Sequence, residues 1–119
     1  MKTKFIVNPI SGTGKQKNIN QLIDKFIDKE KFEYDISFTE RHLHAKEIAK
    51  QAVKDNYELL IAVGGDGTVN EISSELIGTD VSLGIIPTGS GNGFAFHFGI
   101  YKKIKNAILQ INKSKVKIV

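Results

Sequence analysis

Leu59-Leu60-Ile61-Ala62-Val63 runs without a polar side chain into Gly64-Gly65-Asp66-Gly67-Thr68-Val69-Asn70-Glu71. An apolar run of strand length, ended at once by glycine, fits a central parallel strand covered on both faces. Parallel neighbours need long crossover connections, usually helices, and the flanking sequence supplies them. Ala45, Ile48, Ala49, Ala52 and Val53 recur at helical spacing before the run. After it, the pattern predicts a helix that starts near Thr68 and ends before Gly78.

The same alternation extends outward in both directions. Lys4 to Val7 is a short apolar strand stopped at Asn8-Pro9, and Ile19, Leu22, Ile23, Phe26 and Ile27 mark a helix from Lys17 to about Lys29. Phe32, Tyr34, Ile36 and Phe38 alternate with polar residues, the mark of a half-buried strand. Leu83-Gly84-Ile85-Ile86 is a fourth strand stopped by Pro87. A helical segment around Phe94 to Phe98, a second from Lys102 to Ile111 and a last strand from Lys115 to Val119 complete the reading. Strands alternating with helices give an α/β class: a three-layer α/β/α, Rossmann-like domain around a mostly parallel sheet.

A length of 119 residues suits one domain, residues 1–119, without a second of ordinary size. There are no cysteines, which excludes disulfides, thiolate zinc sites and a cysteine nucleophile. Phe5-Ile6-Val7 is too short for the apolar core of a signal peptide, and no stretch approaches a membrane-spanning helix. A cytoplasmic domain is the expectation. The chain stops in a strand-like pattern, which suggests a larger protein cut at a domain edge. Residues 1–80 carry 11 basic and 13 acidic side chains, whereas residues 81–119 carry six lysines and no acid. Arg41 is the single arginine, so the charge suits general attraction to phosphate better than bidentate reading of bases. No nucleic-acid partner is expected. A solvated helix face is the simpler account of Lys102–Lys117, and anionic lipid the functional one.

Three strands are followed by glycine-rich turns: Asn8-Pro9-Ile10-Ser11-Gly12-Thr13-Gly14-Lys15, Gly64 through Glu71, and Pro87-Thr88-Gly89-Ser90-Gly91-Asn92-Gly93. In a parallel sheet all three leave the carboxyl edge, where open α/β folds bind ligands. Glycines let backbone amides approach a ligand, and the helix N-termini behind them favour anions. Together the turns point to a phosphate-rich ligand. Asp66 cannot itself hold phosphate; it can hold Mg²⁺, organise the loop or orient a hydroxyl for phosphoryl transfer. Standard fingerprints fail. A P-loop needs glycine and a Ser/Thr where Pro9 and Gln16 stand, and the dinucleotide pattern meets Lys17 or Phe94 where its third glycine belongs. Simpler readings exist for single residues: Thr68 and Glu71 fit a capping box, Asn92 a helix cap, and Gly78 a helix stop.

These three segments together resemble the catalytic domain of the diacylglycerol kinase family, which also holds sphingosine, ceramide and bacterial lipid kinases. The Gly-Gly-Asp-Gly-Thr turn is shared with NAD kinases and phosphofructokinases, and Pro87–Ala95 makes the likeness specific. The resemblance implies a phosphofructokinase/NAD kinase-like fold, followed by a β-rich domain absent here, with ATP between the two. Carried over by position, ATP is held by Asn8, Ser11, Gly12, Thr39, Gly65, Asp66, Gly67, Thr68, Val69, Asn70, Glu71, Gly89, Ser90 and Asn92. Asp66 is the catalytic candidate, supporting Mg²⁺ or acceptor positioning. The implied reaction is transfer of the ATP γ-phosphate to a lipid hydroxyl at a membrane surface, with diacylglycerol or a sphingoid-type lipid as the acceptor. The isolated chain is expected to be inactive without the second domain, which carries the metal ligands and general base. Gly89-Ser90-Gly91-Asn92 is closer to the sphingosine and ceramide kinase branch. A soluble acceptor, as in NAD kinases, and a non-enzymatic nucleotide-binding module are the alternatives.

His42 and His44 read as solvated loop histidines, and His97 as a packed helix residue. Phe94, Phe96, Phe98 and Tyr101 read as core before they read as a lipid entrance.

Overall fold

The computed structural model describes residues 1–8, 16–87 and 94–113. Among them the chain alternates β1 (Lys2–Val7), α1 (Gln16–Phe26), β2 (Glu33–Phe38), α2 (His44–Lys54), β3 (Leu59–Gly64), α3 (Asp66–Leu76), β4 (Ser82–Pro87) and α4 (Phe94–Lys113). The strands form one parallel sheet in the order β2-β1-β3-β4.

Side chains alternate across the sheet and build two cores. Phe5, Val7, Ile61, Val63 and Ile86 meet Ile19, Leu22 and Ile23 of α1 and Ile104 and Ile108 of α4. On the other face Ile6, Leu60 and Ala62 meet Ala45, Ala49 and Ala52 of α2 with Ile72 and Leu76 of α3. Helices therefore cover both faces, and β3 is buried along its whole length, as its unbroken apolar run requires. Alanines on the buried face of α2 let that helix lie close to the sheet.

The register aligns the carboxyl ends. Val7 pairs with Phe38 and with Val63, and Gly64 pairs with Pro87. From β1 the chain crosses to β2 by α1 on one face; from β3 it crosses the opposite way to β4 by α3 on the other face. The connections diverge between β1 and β3, and ligands of open α/β sheets bind at such a switch point.

Two expected boundaries differ. The pair of helical segments at 94–98 and 102–111 is one helix, Phe94–Lys113; interior Gly99 costs about 1 kcal/mol of helix propensity, less than the packing of Ile104 and Ile108 returns. Helix α3 starts at Asp66 with Gly65 as its N-cap, two residues before Thr68, so Thr68 and Glu71 form no capping box. Gly78 does end α3, at φ +80° after Ile77 at φ −60°, ψ 127°, with the Thr79 amide donating to the Leu76 carbonyl at 3.0 Å. That is a type II turn, which needs glycine at its third position. The strand expected over 115–119 lies outside the described residues.

The outer strand β2 is tied to α1 by the Tyr34 hydroxyl, which donates to Asp24 Oδ1 at 2.8 Å. Its ring stands edge-on to Phe5 at 5.7 Å. Burial first, then the bond to Asp24, pushes the phenol up to about 12 from 10.0. A raised phenol stabilises the fold in full below pH 10.0, and that contribution is lost as pH climbs toward about 12. In denaturant titrations across that window, the native chain is expected to lose more stability than Tyr34→Phe; parallel losses would refute the role.

Candidate functional site

The chain leaves β1, β2 and β3 at one edge, and backbone bonds hold the first residue of two exits. The Asn8 amide donates to the Val63 carbonyl at 2.9 Å, and the Thr39 amide to the Val7 carbonyl at 2.8 Å. Each extends the sheet ladder by one residue and fixes where the next side chain points. Asn8 Nδ2 then donates to Thr68 Oγ1 at 3.1 Å, linking turns sixty residues apart. Thr68 is 4% exposed, so this polar pair sits at the base of the site.

Gly64 makes that pairing possible. A β-carbon there would stand 2.8 Å from Thr68 Oγ1 and 3.3 Å from the Asn8 β-carbon. Gly65 and Gly67 differ, because a β-carbon on either meets nothing within 4 Å. They line open space, where backbone can approach a ligand. Behind them α3 begins with no side-chain cap on Gly65, so its first-turn amides at Asp66, Gly67 and Thr68 lack helical partners. The Val69 amide already donates to the Gly65 carbonyl at 3.1 Å, and its side chain packs on the α2/α3 core. Asp66 and Asn70 are exposed. The Asp66 carboxylate stands at the positive end of the helix dipole.

A cleft of about 280 Å³ opens at this edge, just below the usual range of ligand pockets. Asn8, Thr39, Thr68 and Glu71 line it together with Glu40, Arg41, His42 and Ala45, whereas Gly65, Asp66, Gly67, Val69 and Asn70 are not among its lining residues. Two helix N-termini thus border one cleft, since Ala45 is in the first turn of α2. Glu71 Oε1 accepts from the Lys46 amide at 3.4 Å. Lys46 Nζ donates to Ser74 Oγ at 3.1 Å and pairs with Glu75 at 3.0 Å, bracing α2 against α3.

The turn from β2 to α2 is the part that sequence reasoning missed. It contains no glycine, yet Leu43 adopts φ 65°, a left-handed conformation that costs on the order of 1–3 kcal/mol for such a residue. Arg41 forms an ion pair with Glu47; its hydrogen bond holds the Glu47 carboxyl below its ordinary value and raises the guanidinium. His42 lines the cleft. His44 is no free loop histidine, because its Nδ1 accepts from the Glu40 amide at 2.8 Å. The only signal available was the parallel topology itself, which delivers this turn to the same edge.

Ser11, Gly12, Gly89, Ser90 and Asn92 lie outside the described residues, as do the side chains of Phe94, Phe96, His97, Phe98 and Tyr101. Pro87 beside Gly64 starts the third turn at the same edge. Among the described residues no cluster of three or more potential ligands for a metal occurs, and no helix is long and apolar enough to cross a membrane.

Known proteins share this arrangement. The family model of the diacylglycerol kinase catalytic domain matches residues 2–119. A diacylglycerol kinase of Bacillus subtilis (strain 168) is 36% identical over 102 residues, covering 83% of this chain and 33% of that protein. A diacylglycerol kinase of Staphylococcus aureus (strain MRSA252) is 36% identical over 124 residues, covering 98% and 39%. Among solved structures, a diacylglycerol kinase from Bacillus anthracis str. Sterne superposes with a TM-score of 0.66 at 29% identity, over 94% of this chain and 42% of that one. The chain spans 30–38% of the length of the first curated relatives it matches. With its parallel sheet, its glycine-aspartate turn and this match over nearly its whole length, the chain belongs to the diacylglycerol kinase catalytic domain family.

Proposed function

We propose that this chain is the nucleotide-binding part of an ATP-dependent lipid kinase. The observation that carries the reading is the Asn8–Thr68 hydrogen bond at 3.1 Å, which joins two glycine turns at the switch point of the sheet beneath helix amides that have no intrahelical partner. The amides of Asp66, Gly67 and Thr68 bind phosphate oxygens; Gly65 and Gly67 leave room for that approach. Thr39 supplies a hydroxyl, and Ser11, Gly12, Gly89, Ser90 and Asn92 complete the nucleotide contacts.

The donor set fits Mg²⁺. That ion keeps several waters and takes one or two carboxylates with substrate phosphates, and Asp66, exposed in the first turn of α3, would be the one carboxylate of this helix end to face it. An anion arriving at this helix end meets the Asp66 charge unless a cation lies between them. When bound, Mg²⁺ neutralises charge on the phosphates. In the reaction, the acceptor hydroxyl oxygen bonds to the γ-phosphorus as the bond to the β,γ-bridging oxygen breaks, ADP leaves, and the hydroxyl proton goes to a base. This chain's contribution is positioning and charge stabilisation. A second domain, working at a membrane surface, supplies the rest, and the acceptor is diacylglycerol or a sphingoid-type lipid.

The test is a titration of backbone amide shifts with ATP and Mg²⁺. A Kd on the order of 1 mM or tighter is expected, with shifts at residues 39–42 and 64–71 that Asp66→Ala weakens. The longer protein should then transfer phosphate to lipid in vesicles and not to NAD. Absence of ATP-dependent shifts in both the chain and the longer protein would overturn the reading.

A further inference from the structure

The turn that lines the cleft between β2 and α2 is held by one side chain that none of the motifs includes. The His44 amide donates to the Arg41 carbonyl at 3.1 Å, and His44 Nδ1 accepts from the Glu40 amide at 2.8 Å. One residue therefore grips the turn on both sides of Arg41. Between these bonds Leu43 sits at φ 65° with its side chain 47% exposed. Leucine has no intrinsic preference for that conformation, and a half-exposed side chain gives it little packing to hold it there. The shape is imposed by neighbouring bonds, and among the described residues the imidazole makes the one side-chain bond to the turn's backbone.

We infer that His44 is a positioning residue: its imidazole holds Glu40, Arg41 and His42 in the shape that lines the cleft. This rests on the nucleotide reading only for what enters the cleft. Because Nδ1 accepts a hydrogen bond, the neutral ring carries its proton on Nε2. A proton on Nδ1 removes the acceptor and leaves the Glu40 amide facing a donor, so the turn is released in acid. Glu47 of α2 acts electrostatically on the ring, Glu40, Arg41 and His42 share its turn, and Glu71 of α3 lines the same cleft as that turn. Arg41 and Glu47 are paired with each other, so the imidazole bond is the side-chain hold on the turn's backbone, beside the backbone bonds from the His44 and Glu47 amides to the Arg41 and Leu43 carbonyls.

Two measurements test this. In a chain labelled with nitrogen-15, a coupling through the hydrogen bond between the Glu40 amide nitrogen and His44 Nδ1 is expected at neutral pH. It should vanish as that ring protonates, with the amide shifts of residues 40–43 moving in step. Binding of ATP with Mg²⁺ is the second readout. His44→Asn places a carboxamide oxygen where Nδ1 stands, and should keep the affinity while losing its fall in acid. His44→Gln carries the acceptor one bond further and His44→Leu has none; each should lose about tenfold in affinity. A merely structural histidine would not be rescued by asparagine and lost with glutamine. Absence of the coupling overturns the inference, and so does an asparagine variant as weak as the leucine one. If the native chain binds no ATP while the coupling is present and the turn follows the ring, the nucleotide reading falls and the positioning role stands.

Discussion

Gly64→Ala is expected to lower the unfolding free energy by about 2 kcal/mol and to weaken ATP binding by about tenfold or more. The cost is one of space alone, since Gly64 is not among the residues with positive φ. Its β-carbon would stand 2.8 Å from Thr68 Oγ1, 3.1 Å from the Thr68 β-carbon and 3.3 Å from the Asn8 β-carbon. Rotating the hydroxyl away relieves the first contact but breaks the bond from Asn8 and leaves the second. The start of α3 must then lift off the end of β3, which moves the amides that face the ligand. Gly67→Ala is the control, with nothing within 4 Å of its β-carbon and a gain in helix propensity. Denaturant midpoints should separate the two, with Gly64→Ala the less stable. Adding Thr68→Ala to Gly64→Ala should recover part of the loss, because the closest atom is gone; a strictly additive pair would argue against the contact.

What was legible in the sequence follows from range. The buried strand β3 and the half-buried strand β2 were readable because burial on both faces or on one imposes a local pattern. Asn8, Thr68 and Glu71 were placed at a carboxyl edge because glycine marks those turns. The role of Gly64 was not readable, since it depends on Asn8 and on a hydrogen bond spanning sixty residues. Start positions failed where two local signals competed: Thr68 and Glu71 carry the spacing of a capping box, whereas the true cap is Gly65, which makes no side-chain bond. The β2–α2 turn was the hardest part. Thr39 was named through the family resemblance, Arg41 only as the single arginine and His42 only as a solvated loop histidine, and Glu40 was not named. Its left-handed residue is Leu43, and no propensity points to leucine there.

Asn8→Asp separates the structural from the electrostatic work of the first turn. Asn8 now donates to Thr68 Oγ1; an aspartate there accepts from the same hydroxyl, which can turn to donate. The link between β1 and α3 survives, so the unfolding free energy should change by no more than about 1 kcal/mol. Binding should not survive. The cleft already holds Glu40 and Glu71 against Arg41, and the new carboxylate adds a negative charge at its base. A like charge roughly 5 Å from a phosphate, at an effective dielectric of about 20, costs about 3 kcal/mol, so ATP affinity should fall by about a hundredfold. Raising the salt concentration should return only a little of it, because a partly buried pair of charges is weakly screened. Asn8→Ala makes the reverse test: it removes the bond without adding charge, so it should cost stability and weaken binding far less than Asn8→Asp. If the alanine variant proves the weaker binder of the two, the cleft does not receive an anion at Asn8, and the phosphate site must lie elsewhere along the sheet edge.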